Sequence, residues 1–304
     1  MRVLVTGAGG QVGRDLVDAL SGTVPTGGLE GDPSTGRLGR RPAVDVVAAD
    51  RSVVDVTDRS SVGALLEAVR PDVVVHTAAW TAVDACEADP DRAYLTNALA
   101  TRHVAEAARR YGAHVVYIST DYVFDGKAPR PYREWDEPSP ASVYGRSKLG
   151  GERELDPEAT IVRTSWVCGA HGTNMMGTVL RLAAAPGSLR FVSDQRGSPT
   201  FTADLAGAVA VLATERLPGL FHVTNQGAAS WFEFATAVLA AAGHDPSRVE
   251  PISTAELDPP RAAARPANSV LDNTALRLMG LPLLPPWQGA LERLLPALLP
   301  DGVR

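Results

Sequence analysis

The sequence predicts an α/β protein: a Rossmann-like, doubly wound parallel sheet with a smaller, partly interleaved C-terminal lobe. Three observations lead there. Apolar runs rich in β-branched residues recur through the first half, as expected of strands buried on both faces of a parallel sheet. Helix-patterned stretches alternate with those runs. A glycine-rich turn, T-G-A-G-G-Q-V-G at 6–13, directly follows the first run.

In chain order, "RVLVT" (2–6), "VDVVAA" (44–49), "DVVVHT" (72–77), "AHVVYIS" (113–119) and "ATIVRTSWV" (159–167) read as strands. Helices are expected after the glycine turn, over 58–69 and over 91–111, the last stopped by Gly112. Residues 21–42 are rich in Gly and Pro without periodicity and read as a surface loop. Beyond 165 the pattern loosens. Helical patterns occur at 174–185, 202–214, 230–242 and 286–299, with a short strand at 219–224. The expected division is a dinucleotide-binding domain of 1–165 plus about 190–225, and a substrate lobe of about 166–189 and 226–304.

Composition narrows the function classes. The 304 residues can bury a large core, and 45 % hydrophobic with 21 % charged residues is ordinary for a globular chain. A net charge of −6 gives no electrostatic footprint for nucleic acid. Cys86 and Cys168 make neither a disulfide framework nor a zinc site, which fits a reducing cytoplasm. "MRVLVTGAGG" already reads as strand and turn, so no targeting leader is expected, and no apolar run reaches membrane-spanning length. A cytoplasmic protein with no membrane or nucleic-acid partner and no metal cluster is the expectation.

The chemistry starts at the glycine turn. Gly7, Gly10 and Gly13 allow a tight turn, close approach of backbone to a pyrophosphate and close helix–strand packing, and the helix N-terminus offers N–H groups to phosphate. A strand–helix turn with no ligand is the blander reading; the position after the first strand of an alternating chain favours a dinucleotide. The second strand ends in adjacent Asp50 and Arg51. An acid there suits a free ribose 2′-hydroxyl and an Arg suits a 2′-phosphate, so NADH and NADPH both stay open.

Lys127 and Lys148 are the only lysines among 29 basic residues. Lys148 lies four residues after Tyr144 in "SVYGRSKLGGE" (142–152), and on a helix that spacing puts both on one face. An ammonium near a phenol favours the phenolate, making Tyr144 a better proton donor to a carbonyl oxygen. An incidental exposed pair is the alternative. The fourth strand ends in "ISTDYVFDG" (118–126), where this architecture places ligand-facing residues. Thr120 can donate to a substrate oxygen and Asp121 can accept from a sugar hydroxyl; otherwise Ser119, Thr120 and Asp121 simply cap a turn.

Taken in order, "GQVGRDL" (10–16), "HTAAWTAVDACE" (76–87), "STDYVFDG" (119–126), "YGRSKLGGE" (144–152), "VRTSWVCG" (162–169) and "DQRGSPT" (194–200) resemble the dTDP-4-dehydrorhamnose reductase family of the extended short-chain dehydrogenase/reductase superfamily. The resemblance implies a catalytic set of Thr120, Tyr144 and Lys148. It implies that Gln11, Val12 and Gly13 line the pyrophosphate, Asp55 and Val56 the adenine, and Ala79, Trp80 and Thr81 the nicotinamide. Asp121 and Trp166 are implied to contact the sugar. Cys168 stands where the family usually carries Tyr.

The implied reaction is NADPH- or NADH-dependent reduction of the C4 ketone of a dTDP-4-keto-6-deoxyhexose, with a homodimer left open. An epimerase or dehydratase of the same superfamily is one alternative. Dehydratases are expected to carry Asp-Glu after the Thr, whereas Thr120-Asp121 is followed here by Tyr122. The other is a non-catalytic dinucleotide-binding regulatory subunit.

Overall fold

The structure, a computed structural model, describes residues 1–22 and 44–299, so the loop expected over 21–42 lies almost wholly outside the described residues. Strand β1 (Arg2–Thr6) leads through the glycine turn into α1 (Gln11–Ser21), and β2 (Asp45–Ala49), α2 (Arg59–Val69) and β3 (Val73–His76) follow. Asp58 caps α2 by accepting from the Ser60 N–H, a contact worth about 1 kcal/mol.

The helix expected over 91–111 is in fact three pieces. After α3 (Val83–Ala88) come α4 (Pro90–Tyr94), a π-helical turn (Leu95–Leu99) and α5 (Ala100–Tyr111). Periodicity alone does not reveal a one-residue bulge; the turn places Asn97 where its amide serves the site described below. Gly112 then ends α5 in the left-handed region, at φ 69°.

β4 (His114–Thr120), α6 (Val143–Glu152) and β5 (Thr160–Thr164) complete the first half. The predicted strand over 159–167 breaks at Trp166, which has φ 46°, and resumes as β6 (Val167–Cys168). The second half holds α7 (Met175–Ala183), β7 (Leu189–Val192), β8 (Arg196–Gly197), β9 (Thr200–Phe201), α8 (Thr202–Thr214) and β10 (Gly219–His222). It ends with β11 (Ala229–Ser230), α9 (Trp231–Ala241), β12 (Val249–Ile252), α10 (Thr274–Leu278) and α11 (Trp287–Leu298). Among the described residues no helix is long and apolar enough to cross a membrane.

The main sheet runs β10-β5-β4-β3-β1-β2 with every pairing parallel. The order reverses between β1 and β3, which places the ligand crevice at the carboxyl ends of those strands. Val3, Leu4 and Val5 of β1 and Val73, Val74 and Val75 of β3 are fully buried, explaining the unbroken apolar runs. One core layer joins α1 and α8 to the sheet; the opposite layer includes Leu66 of α2 and Val104 of α5.

A separate apolar core, with Met176, Phe201, Phe234 and Trp287, lies among α7, α9 and α11. Two stretches depart from the expected division. Within 190–225, β7, β8 and β9 pair with β12, β11 and β6 of the lobe, and only α8 and β10 join the sheet. Conversely, Leu276 and Leu284, assigned to the lobe, pack in the sheet's core. Strands of two to four residues carry too little periodicity for sequence alone to assign them. We propose a boundary that returns the chain to the sheet domain at Thr202 and adds the segment around α10 to it.

Candidate active site

The glycine turn is shaped for close backbone approach. Gly7 sits at φ 76°, and a Cβ there would fall 2.5 Å from the Ala78 nitrogen. A Cβ on Gly13 would fall 2.3 Å from the Gly7 carbonyl oxygen, so α1 packs directly on the turn. Gly10 is the N-cap of α1, without a side-chain cap and with no acid in the first turn. The helix therefore presents unneutralised N–H groups where a pyrophosphate would lie, and the residues fit a dinucleotide.

A cleft of about 430 Å³ brings most of the sequence-predicted residues together. Gly10, Gln11, Val12 and Gly13 form one side; Ala79 and Thr81 come from the loop after β3. Thr120, Asp121, Tyr144, Lys148 and Trp166 line the same space. A neighbouring cavity holds the rest: Gly7, Asp50, Arg51, Asp55 and Val56, together with Arg14.

Trp80 is the exception. Asn97 grips its backbone at both ends, accepting from the Trp80 N–H at 2.8 Å and donating to its carbonyl at 3.1 Å. The indole lies under the Arg92 guanidinium at 4.4 Å and packs in the small cluster around Tyr144. Trp80 supports the phenol from behind and does not line either cavity.

Helix α6 is delivered to the site by a glycine and two caps. Ser142 accepts from the Gly145 N–H, and Glu87 accepts from the Val143 N–H at 2.7 Å. A Cβ on Gly145 would fall 2.1 Å from the Tyr122 carbonyl oxygen, so the helix start rests on the turn after β4. That contact brings Tyr144 next to Thr120. Thr120 also caps this turn, accepting from the Tyr122 N–H at 3.2 Å while donating to Asp121 at 3.0 Å.

Burial governs the electrostatics. The Tyr144 phenol is 8 % exposed and its pKa is pushed well above the usual tyrosine range by desolvation, with the Thr120 hydroxyl as the opposing influence. The expected lowering by Lys148 is therefore not what governs the phenol: loss of water does, by disfavouring the phenolate. Lys148 itself is brought down to about 7, again by burial, against the pull of Glu152. Asp121 is raised by burial, partly offset by hydroxyls of Ser269, Ser165 and Thr120. The site thus holds a protonated phenol beside an amine poised near neutrality.

Lys148 is fixed by two contacts from the sheet side of the helix. Its Nζ donates to the Ile118 carbonyl at 2.6 Å and lies 3.9 Å from the Tyr117 ring centre. A charge so placed over a desolvated ring gains about 2 kcal/mol. Four residues on, Glu152 forms a buried pair with Arg163 of β5, at 2.6 and 2.9 Å, and accepts from Ser119 of β4.

At the adenosine end, Asp50 is ionised below the usual carboxylate range because the Ser52 hydroxyl and N–H both donate to Oδ1. Arg14 and Arg51 face the same cavity. Asp55 is engaged in the same manner by Thr57. Sequence reasoning missed Arg14, Asn97 and Trp231. Arg14 could have been found from its place one residue past Gly13; Asn97 and Trp231 reach the site only through tertiary packing.

Trp166 ends its strand in the left-handed region, which costs a bulky residue on the order of 1–3 kcal/mol. Half-buried on the cleft wall, it is not simply a core aromatic. Cys168, two residues on, is buried in the lobe core and does not line this cleft, and desolvation pushes its thiol up to about 12.

With this geometry in hand, comparison with known proteins is informative. The family described as RmlD substrate binding domain matches residues 35–299. A dTDP-4-dehydrorhamnose reductase of Streptomyces griseus is 41 % identical over 98 % of this chain and 94 % of its own. The chain belongs to the dTDP-4-dehydrorhamnose reductase family. Within the family, a dTDP-4-keto-6-deoxy-D-glucose reductase of Streptomyces niveus is 38 % identical, covering 99 % of this chain and 98 % of that one. A crystal structure of the dTDP-4-dehydrorhamnose reductase of Bacillus anthracis in complex with NADP superimposes with a TM-score of 0.85, at 38 % identity, over 96 % of this chain and 98 % of that one.

Proposed function

We propose that the protein reduces the C4 ketone of a dTDP-4-keto-6-deoxyhexose to a hydroxyl, using NADPH or NADH. The observation that carries this reading is that Tyr144, Lys148 and Thr120 line one cleft with the glycine turn. When bound, the reduced nicotinamide supplies the hydride that goes to C4. Tyr144, held as the neutral phenol, gives its proton to the ketone oxygen as negative charge develops there. Lys148 stabilises the resulting phenolate until solvent restores the proton. The Thr120 hydroxyl, within hydrogen-bond reach of the phenol oxygen and free to rotate away from Asp121, donates to the developing negative charge. Asp121 and Trp166 hold the sugar.

The enzyme is proposed to work in the cytoplasm on a nucleotide sugar, as a monomer or homodimer. Arg14 and Arg51, facing a carboxylate already engaged by Ser52, favour NADPH over NADH. The test is to supply a dTDP-4-keto-6-deoxyhexose with each reduced cofactor and follow nicotinamide absorbance, assigning the product by NMR. Stoichiometric loss of reduced cofactor supports the reductase. Conversion of substrate without it would identify an epimerase or dehydratase, which regenerate their cofactor within each turnover, and no turnover would favour a binding protein.

A further inference from the structure

We infer that Trp231, on the lobe, is a positioning residue for nucleotide-sugar recognition, acting by clamping Trp166; the inference rests on the reductase reading above. The Trp166 and Trp231 rings are parallel within 3°, with centroids 3.4 Å apart. Ring quadrupoles disfavour so complete an overlap relative to offset or edge-on packing. The stack is therefore imposed by the backbone and not selected by the rings.

The imposing element is visible. The Trp166 indole also meets Gly197, where a Cβ would fall 2.3 Å from Cε2. Gly197 pairs with Ala229 in a two-stranded antiparallel ribbon, and Trp231 follows that ribbon directly. One small ribbon thus carries both residues that hold Trp166. Behind it, Trp231 meets Phe234 edge-on at 6.2 Å, and Phe234 packs 5.7 Å from Trp287 in the lobe core.

Both clamped indoles are half-buried, and both line the cleft that holds Thr120, Asp121 and Tyr144. A merely structural pair would be expected inside the core, and would not need a left-handed backbone at Trp166. The arrangement fixes the orientation of an indole in the wall of the cleft that also holds the phenol, a flat apolar surface against which the C–H face of a hexose can lie. The cofactor side of the cleft is formed by other elements, so the clamp bears on the sugar alone.

The test uses full-length Trp231→Ala, Trp231→Phe and Gly197→Ala. Steady-state kinetics are run with a dTDP-4-keto-6-deoxyhexose and NADPH, and dTDP-rhamnose serves as the binding probe. Exciton-coupled circular dichroism of the stacked indoles reports the clamp itself. Trp231→Ala is expected to raise the nucleotide-sugar KM about tenfold or more, leave the NADPH KM unchanged and change kcat little, with the exciton band lost. Trp231→Phe should recover most of the affinity without the band. Gly197→Ala should raise the same KM while Trp231 is intact. An active wild type whose Trp231→Ala variant keeps its nucleotide-sugar KM, or loses sugar and cofactor affinity alike, overturns the inference alone. A wild type that neither binds nor reduces any dTDP-sugar sinks the reductase reading as well.

Discussion

The Lys148 ammonium rests 3.9 Å from the centre of the Tyr117 ring while donating to the Ile118 carbonyl at 2.6 Å. This explains why an arginine-rich chain keeps a lysine here. A compact head with rotatable donors fits one carbonyl and one ring face and still has donors for a ligand. A guanidinium would bury five donors in a fixed fork with too few acceptors. Lys148→Arg should therefore lose about a hundredfold or more in kcat/KM despite keeping the charge.

The pH dependence follows from the same burial. If the ammonium form of Lys148 is the working one, kcat/KM should fall as pH rises through about 7, approaching about tenfold per unit. The stability sign is opposite. The folded pKa lies below the usual 10.5, so burying the charged form costs stability below about 7, and that cost fades as pH climbs towards 10.5. A Lys148→Met variant should flatten both profiles, measured by initial rates and by denaturant titration across pH. A wild-type rate that is level across about pH 6–9 would contradict the assignment.

Tyr144→Phe removes the acid and keeps the ring. The expected loss in kcat is about 10²–10⁴-fold, with NADPH affinity close to wild type by fluorescence titration. Near-full activity would remove Tyr144 from the mechanism.

Gly145→Ala tests the docking of α6. In an exposed helix this change usually stabilises by up to about 1 kcal/mol. Here the new methyl would lie 2.1 Å from the Tyr122 carbonyl oxygen, a backbone atom that cannot swing aside. Destabilisation of about 1–3 kcal/mol is expected, together with a fall in kcat as Tyr144 shifts from Thr120. Urea denaturation and initial rates check both.

Arg51→Ala should raise the KM for NADPH about tenfold while changing the KM for NADH little, as loss of a charged contact to a 2′-phosphate requires. Equal effects on the two cofactors would place the guanidinium away from that phosphate.

Much of this site was legible because its residues follow strands. Thr120 and Asp121 end β4, the glycines follow β1, and Tyr144 and Lys148 share a helical face, so local pattern was enough to bring them together. What the pattern missed depends on contacts between distant segments. The π-helical turn that aims Asn97 sits inside a periodic stretch and leaves no trace in it. The rise of the Tyr144 pKa depends on how completely the folded chain excludes water, which spacing does not reveal. That Trp80 lines neither cavity was not legible either, because a residue's position in a motif does not say which way a loop turns it.

The buried Glu152–Arg163 pair has a mechanical consequence. It couples the far end of α6 to β5, with Ser119 adding a tie to β4. Sliding or tilting that helix would strand a charge in an apolar interior, at a cost of about 3–5 kcal/mol. The proton-donating side of the enzyme is thus an anvil, and whatever travel accompanies substrate entry and product departure must be made by the opposite, tryptophan-bearing jaw. Amide exchange that quickens first in β8, β11 and the start of α9 would be the trace of that motion.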